Sequence, residues 1–171
     1  LISFFSFMTI KILLAIILDW QMIIIALSAV VYIWYKDKPA LIFSVVTLIS
    51  FLISYFGTPF IFDLDPGRVY RYVFWITNDV AWMAIIAYLG IKDKISINVS
   101  IVAQICVIPI VLIQLLRIVD IQILDIPFIT LLYKTIIPLS NTLIVLLCLW
   151  PFLSYLIERV KLLFFKMSDV V

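Results

Sequence analysis

The sequence predicts an all-α fold, a polytopic bundle of transmembrane helices, on three observations. The first is composition: 67% of the 171 residues are hydrophobic and 13% charged, with a mean hydropathy of +1.31. Soluble domains carry about 45–50% apolar and about 25% charged residues. A chain this short keeps much of its surface exposed when folded, so the apolar excess has to face lipid. The second is segment length: five stretches each supply the roughly 20 apolar residues that a helical crossing needs. The third is punctuation, because charged or turn-forming clusters separate these stretches.

The expected spans cover 13–35, 39–58, 72–91, 97–116 and 135–157, all within a single integral membrane domain over 1–171. Lys36, Asp37, Lys38 and Pro39 close the first span and open the second, where proline's missing N–H costs nothing at the first helical position. Asp65-Pro66-Gly67-Arg68 places Pro and Gly as a type II turn requires. Gly90 and the Lys92-Asp93-Lys94 run divide the third span from the fourth. The stretch from Arg117 to Lys134, with Asp120, Gln122 and Asp125 among isoleucines, is expected to lie along the membrane interface.

The N-terminal 18 residues are apolar too, about 27 Å as a helix at 1.5 Å per residue. A sixth span is therefore possible, although Lys11 would sit near its middle and only Asp19-Trp20-Gln21 would remain to reverse the chain. The expected form is an extension of the first helix. Its start lacks a positive region, so no removable signal peptide is expected.

Orientation follows the distribution of Lys and Arg near helix ends. Lys36, Lys38, Lys92, Lys94, Arg159, Lys161 and Lys166 share one side; Lys11, Arg68, Arg71, Arg117 and Lys134 share the other. The richer side is expected inside, which puts the N-terminus out and the C-terminus in, in a bacterial inner (plasma) membrane.

Helix faces can be read from small and polar residues, because lipid tails give apolar faces no reason to associate. Ser44, Thr47, Ser50 and Ser54 fall within about 120° of arc, and Ser100, Ala103, Gln104, Val107, Val111 and Gln114 within about 100°. Both stripes are expected to be buried. In the third span Asn78 and Asp79 share an arc with Trp75 and Trp82. Asp79 lies about 12 Å from Arg71 along the axis, and an acid near a helix centre costs about 2.5–3.5 kcal/mol on insertion scales. Asn141 has matching depth in the last span, so contact with Asp79 is expected. Asn78, Asp79, Gln104 and Asn141 form the candidate intramembrane polar site. Asp63, Asp65, Arg68 and Arg71 form a candidate partner contact in the outer loop. Pro109 and Pro151 are expected to bend their helices.

Several function classes are poorly served. Histidine is absent, which excludes His-ligated haem and Ser–His or Cys–His catalysis within the chain. Cys106 and Cys148 lie in apolar segments and read as small hydrophobes. A net charge of +2 without a basic run does not suit nucleic acid. No catalytic, metal or cofactor signature is present; Asp63 and Asp65 in D-x-D spacing are too weak a signal. The expected function is that of a non-catalytic component that binds another membrane protein, as a subunit, assembly factor, sensor or immunity-type protein. Its partners are the bilayer and a homo- or hetero-oligomer. The alternative is a small oligomeric proton or cation transporter or channel that uses Asp79.

Overall fold

The computed structural model describes residues 20–124 and 126–168, all of whose regular structure is helical. The possible sixth span over 1–18, Lys11, Asp19 and Asp125 lie outside these residues. Five helices follow one another: α1 (Trp20–Tyr35), α2 (Lys38–Asp63), α3 (Tyr70–Ile91), α4 (Ile97–Val119) and α5 (Pro127–Ser168). The last four are long and apolar enough to cross a membrane, and they make the chain an integral membrane protein. The described part of α1 is shorter than a full crossing.

Each helix starts and stops for a local reason. Asp37 accepts a hydrogen bond from the Ala40 N–H at 3.1 Å and Pro39 sits in the first turn of α2, as the sequence predicts. At the C-terminus of α1 the Asp37 N–H reaches back to the Tyr32 carbonyl, and Lys36 adopts φ 55°. At the C-terminus of α3 the Lys94 N–H reaches the Leu89 carbonyl, and Asp93 adopts φ 52°. Both are Schellman caps, which usually carry glycine at the left-handed position.

The turn before α3 departs from expectation. No glycine has positive φ, so Gly67 does not close a type II turn; Arg68 takes the left-handed conformation instead, at φ 56°. Asp65 explains the change. Its carboxylate accepts from the backbone N–H groups of Val69, Tyr70 and Arg71 at 2.8, 3.0 and 3.1 Å, and from Arg71 Nε at 2.7 Å. Satisfying three orphan donors at the start of α3 requires the chain to curl around the carboxylate before the helix begins.

The connection between α4 and α5 is also shorter than expected. α4 runs to Val119, continues as a π-helical turn over Asp120–Leu124, and α5 begins at Pro127. Asp120 is fully buried, pairs with Arg117 and accepts from the Ile126 N–H at 2.6 Å. One carboxylate thus braces the junction between α4 and α5. α5 is 42 residues long, about 63 Å at 1.5 Å per residue, roughly twice the hydrocarbon thickness.

The helices pack as antiparallel neighbours, with α4 against both α3 and α5 and α2 against α3. α1 lies against α2 and α5: Ser28 Oγ donates to Ser44 Oγ at 3.4 Å, and the Tyr32 hydroxyl donates to the Cys148 carbonyl. The two predicted stripes are largely interior, since Ser44, Thr47, Ser50, Ser100, Ala103, Val107 and Gln114 are all buried. Small side chains let backbones approach. A Cβ on Gly90 would lie 2.8 Å from Ser100, whose hydroxyl bonds the Ile86 carbonyl at 3.1 Å.

The apolar core occupies the half of the bundle near the α1–α2 and α3–α4 turns. It is built from Ile25, Phe43, Trp82, Ile86, Ala103 and Val145 with their neighbours, Phe43 meeting Trp82 edge to face. Cys148 is buried in this core and Cys106 is half-buried; both are free thiols. Outward, Ile49, Phe56, Ile85, Ile105, Leu112, Leu131 and Leu146 form an apolar surface, consistent with contact with lipid.

Candidate functional site

The other half of the bundle holds a polar cavity of about 200 Å³. Every helix contributes to its wall: Gln21 from α1; Ser50, Phe51 and Ser54 from α2; Trp75, Asn78 and Asp79 from α3; Ile110 and Gln114 from α4; Tyr133, Ile137 and Asn141 from α5. The local cause is the same on each helix. A polar residue in an apolar helix turns away from lipid, because an unpaired polar group in hydrocarbon costs several kcal/mol.

Asp79 is the only acid on this wall among the described residues. It accepts one hydrogen bond, from Gln114 Nε2 at 3.1 Å. Asn141 lines the same cavity, while the hydrogen bond that Asp79 accepts comes from Gln114. The cause is helix order: α4 sits directly against α3 and brings Gln114 to the level of Asp79. Asn78 faces α2, donating to Ser50 Oγ at 2.9 Å and to the Ser50 carbonyl at 3.2 Å. Trp75 Nε1 donates to Thr58 Oγ1 at 3.2 Å. The Tyr72 ring meets those of Trp75 and Tyr133, each at 5.6 Å and edge to face.

Charges around the cavity are unevenly compensated. Among the described residues the ion pairs are Arg71–Asp65 and Arg117–Asp120. Among the described residues Arg71 and Arg117 are thus committed to other acids, and neither ion pair involves Asp79. Gln21 Oε1 and Gln114 Oε1 are buried and accept no hydrogen bond among the described residues.

Gln104 does not belong to this group. Its amide donates to the Met83 carbonyl at 2.8 Å and it lines a separate apolar groove with Val80, Ala84, Ala87 and Leu112. It sits at the edge of its helical stripe, on the side turned to α3 away from the cavity. Among the loop candidates, Asp65 and Arg71 are engaged with each other, and the Arg71 guanidinium also stacks over the Phe62 ring at 4.2 Å. Burial alone would push the Asp65 carboxyl up, but the Arg71 side chain and three backbone N–H groups outweigh this and hold it down at about 2. Asp63 and Arg68 are exposed.

Gln21 and Tyr133 were not legible as site residues. Gln21 stands inside the expected first span, on which no polar face was identified, and Tyr133 in what reads as an interfacial connection. Gln114 carried a signal, since it closes the polar stripe of α4. No three His, Cys, Asp or Glu side chains converge among the described residues. Comparison with protein-family models, with curated proteins and with solved structures found no match.

Proposed function

We propose that this chain is a non-catalytic membrane protein that binds a proton or small cation at Asp79. A single observation carries this: all five helices contribute residues to one cavity around an acid that, among the described residues, has no ion-pair partner. Asp79 is half-buried at membrane depth, where a carboxylate is neutralised by a proton or matched by a positive charge. This favours the transport alternative over simple packing. Asp79→Asn keeps the shape and the hydrogen bond from Gln114 while removing the charge. In proteoliposomes the variant should fold normally and lose at least tenfold of any pH- or cation-dependent flux. Unchanged flux in a folded variant would overturn the proposal.

The proposed setting is the bacterial plasma membrane, with the N-terminus outside and the C-terminus inside. The lysines of the α1–α2 and α3–α4 turns support it. A cysteine replacing Asp63, in a variant lacking Cys106 and Cys148, should react with an impermeant maleimide in intact cells; one replacing Asp93 should not. The opposite pattern reverses the orientation.

A second reading, docking to another membrane protein or a second copy, draws on the groove between α3 and α4. There Ala84 and Ala87 leave room for close backbone approach, while Asp63 and Arg68 are exposed in the loop. Native mass spectrometry of the chain in lipid nanodiscs decides it: a bare monomer removes this reading.

A further inference from the structure

Resting on the assignment of Asp79 as a cation-binding acid, we infer that the ion's route runs lengthwise through this single chain, from the Asp79 cavity to a second cavity at the opposite end of the bundle, and that Trp82 closes it. The second cavity, of about 140 Å³, lies beside the α1–α2 and α3–α4 turns, and its wall includes Asp37, Phe43, Ser96, Val99, Cys148 and Pro151. Helix register puts the two cavities in line. On α2, Phe43 lines the second cavity and Ser50 the first; on α5, Cys148 lines the second and Asn141 the first. Each pair is seven residues apart, so its members share one helix face about 10 Å apart along the axis. On α4, Val99 and Ile110 are eleven residues apart, about three turns and about 16 Å. Three helices thus each turn a single face to both cavities.

One apolar layer separates the cavities. Trp82 lies three residues beyond Asp79 on α3, the next side chain on that face toward the second cavity. Its ring meets that of Phe43 edge to face, with centroids 6.2 Å apart, and Phe43 is itself wall of the second cavity. Asp79, Trp82 and Phe43 therefore link one cavity to the other, and Ala103, Val107, Ile144 and Val145 complete the same buried core. A dry constriction of this kind stops an ion, because a charge cannot be solvated within it. Trp82 is also the group with least to hold it. It is 4% exposed, yet its indole N–H has no hydrogen-bond partner among the described residues, whereas a buried tryptophan usually has one. A change of rotamer breaks apolar contacts but no polar bond.

The test uses the full chain in proteoliposomes, with Asp79-dependent flux as the readout. In a background lacking Cys106 and Cys148, Val99→Cys places a thiol on the wall of the second cavity. Ile97→Cys places one at an exposed position of the same helix end, outside that wall. A cationic, membrane-impermeant methanethiosulfonate is supplied on both sides, and labelling is counted by mass spectrometry. Modified Val99→Cys should lose at least about fivefold of the flux, while modified Ile97→Cys should stay within about twofold. Trp82→Phe, which keeps an aromatic ring but thins the closing layer, should raise flux at least about threefold. The Val99→Cys arm alters a protein already folded, so it decides the route even if Trp82→Phe does not fold. Full flux after complete labelling of Val99→Cys, or a thiol there that never reacts, would overturn the route while leaving Asp79 as the ion site. A folded Trp82→Phe with parental flux would remove Trp82 as the closing group. Flux indifferent to Asp79→Asn would instead remove the reading on which the route rests.

Discussion

Replacing Asp120 with Ala will lower the stability of the bundle by about 3–5 kcal/mol, the range for removing one partner of a buried ion pair. Asp120 is fully buried. Its carboxylate pairs with Arg117 and accepts from the Ile126 N–H at 2.6 Å, while the same guanidinium donates to Thr130 Oγ1 at 2.6 Å. Deleting the acid leaves Arg117 charged and poorly matched, and strips the start of α5 of its cap. For a chain of this length that cost corresponds to a drop in Tm of roughly 6–20 °C, measurable by circular dichroism in mild detergent. The double replacement Arg117→Met, Asp120→Leu should recover much of the loss, since apolar groups of similar volume often replace a buried pair at little cost. A single variant that melts within 2 °C of the parent would show that the pair contributes nothing.

The Gly90 position should reveal itself by a reversal of sign. Alanine is the better helix former by about 1 kcal/mol, so at an open position Gly90→Ala would stabilise α3. Here the new Cβ would meet the Ser100 Cβ and Oγ at 2.8 Å. The Ser100 Cβ cannot rotate away, because it is fixed to the α4 backbone. Overpacking costs about 1–3 kcal/mol, which leaves a net loss of up to about 2 kcal/mol. Ser100→Gly alone should also destabilise, by removing the hydroxyl bonded to the Ile86 carbonyl and weakening α4. In the Gly90→Ala background the same change should stabilise, because it opens the space the methyl needs. Thermal unfolding of the four proteins gives the double-mutant cycle, and additive effects would rule out the contact.

What could be read from the sequence alone is what depends on local geometry. The long apolar helices follow from composition and from the punctuation at Lys36–Pro39, Asp65–Arg68 and Lys92–Lys94. The buried faces of α2 and α4 follow from the 3.6-residue period, which places Ser44, Thr47 and Ser50 on one side of a helix and Ser100, Ala103 and Gln114 on one side of another, whatever surrounds them. The high cost of Asp79 follows from its distance from the nearest charged helix end. A stripe identifies a face, however, without naming the helix opposite or its axial level. Only packing decided that Gln114 reaches Asp79 ahead of Asn141, that Gln21 and Tyr133 join the wall, and that Gln104 turns to a separate groove. Only packing decided, too, that Asp65 and Asp120, which read as exposed loop acids, are buried caps paired with Arg71 and Arg117. These outcomes rest on contacts at separations from 3 positions, for Arg117 and Asp120, to 35, for Asp79 and Gln114. A change of one residue in helix register rotates a side chain by about 100°, so such contacts are fixed by the close packing of all five helices and not by any one segment.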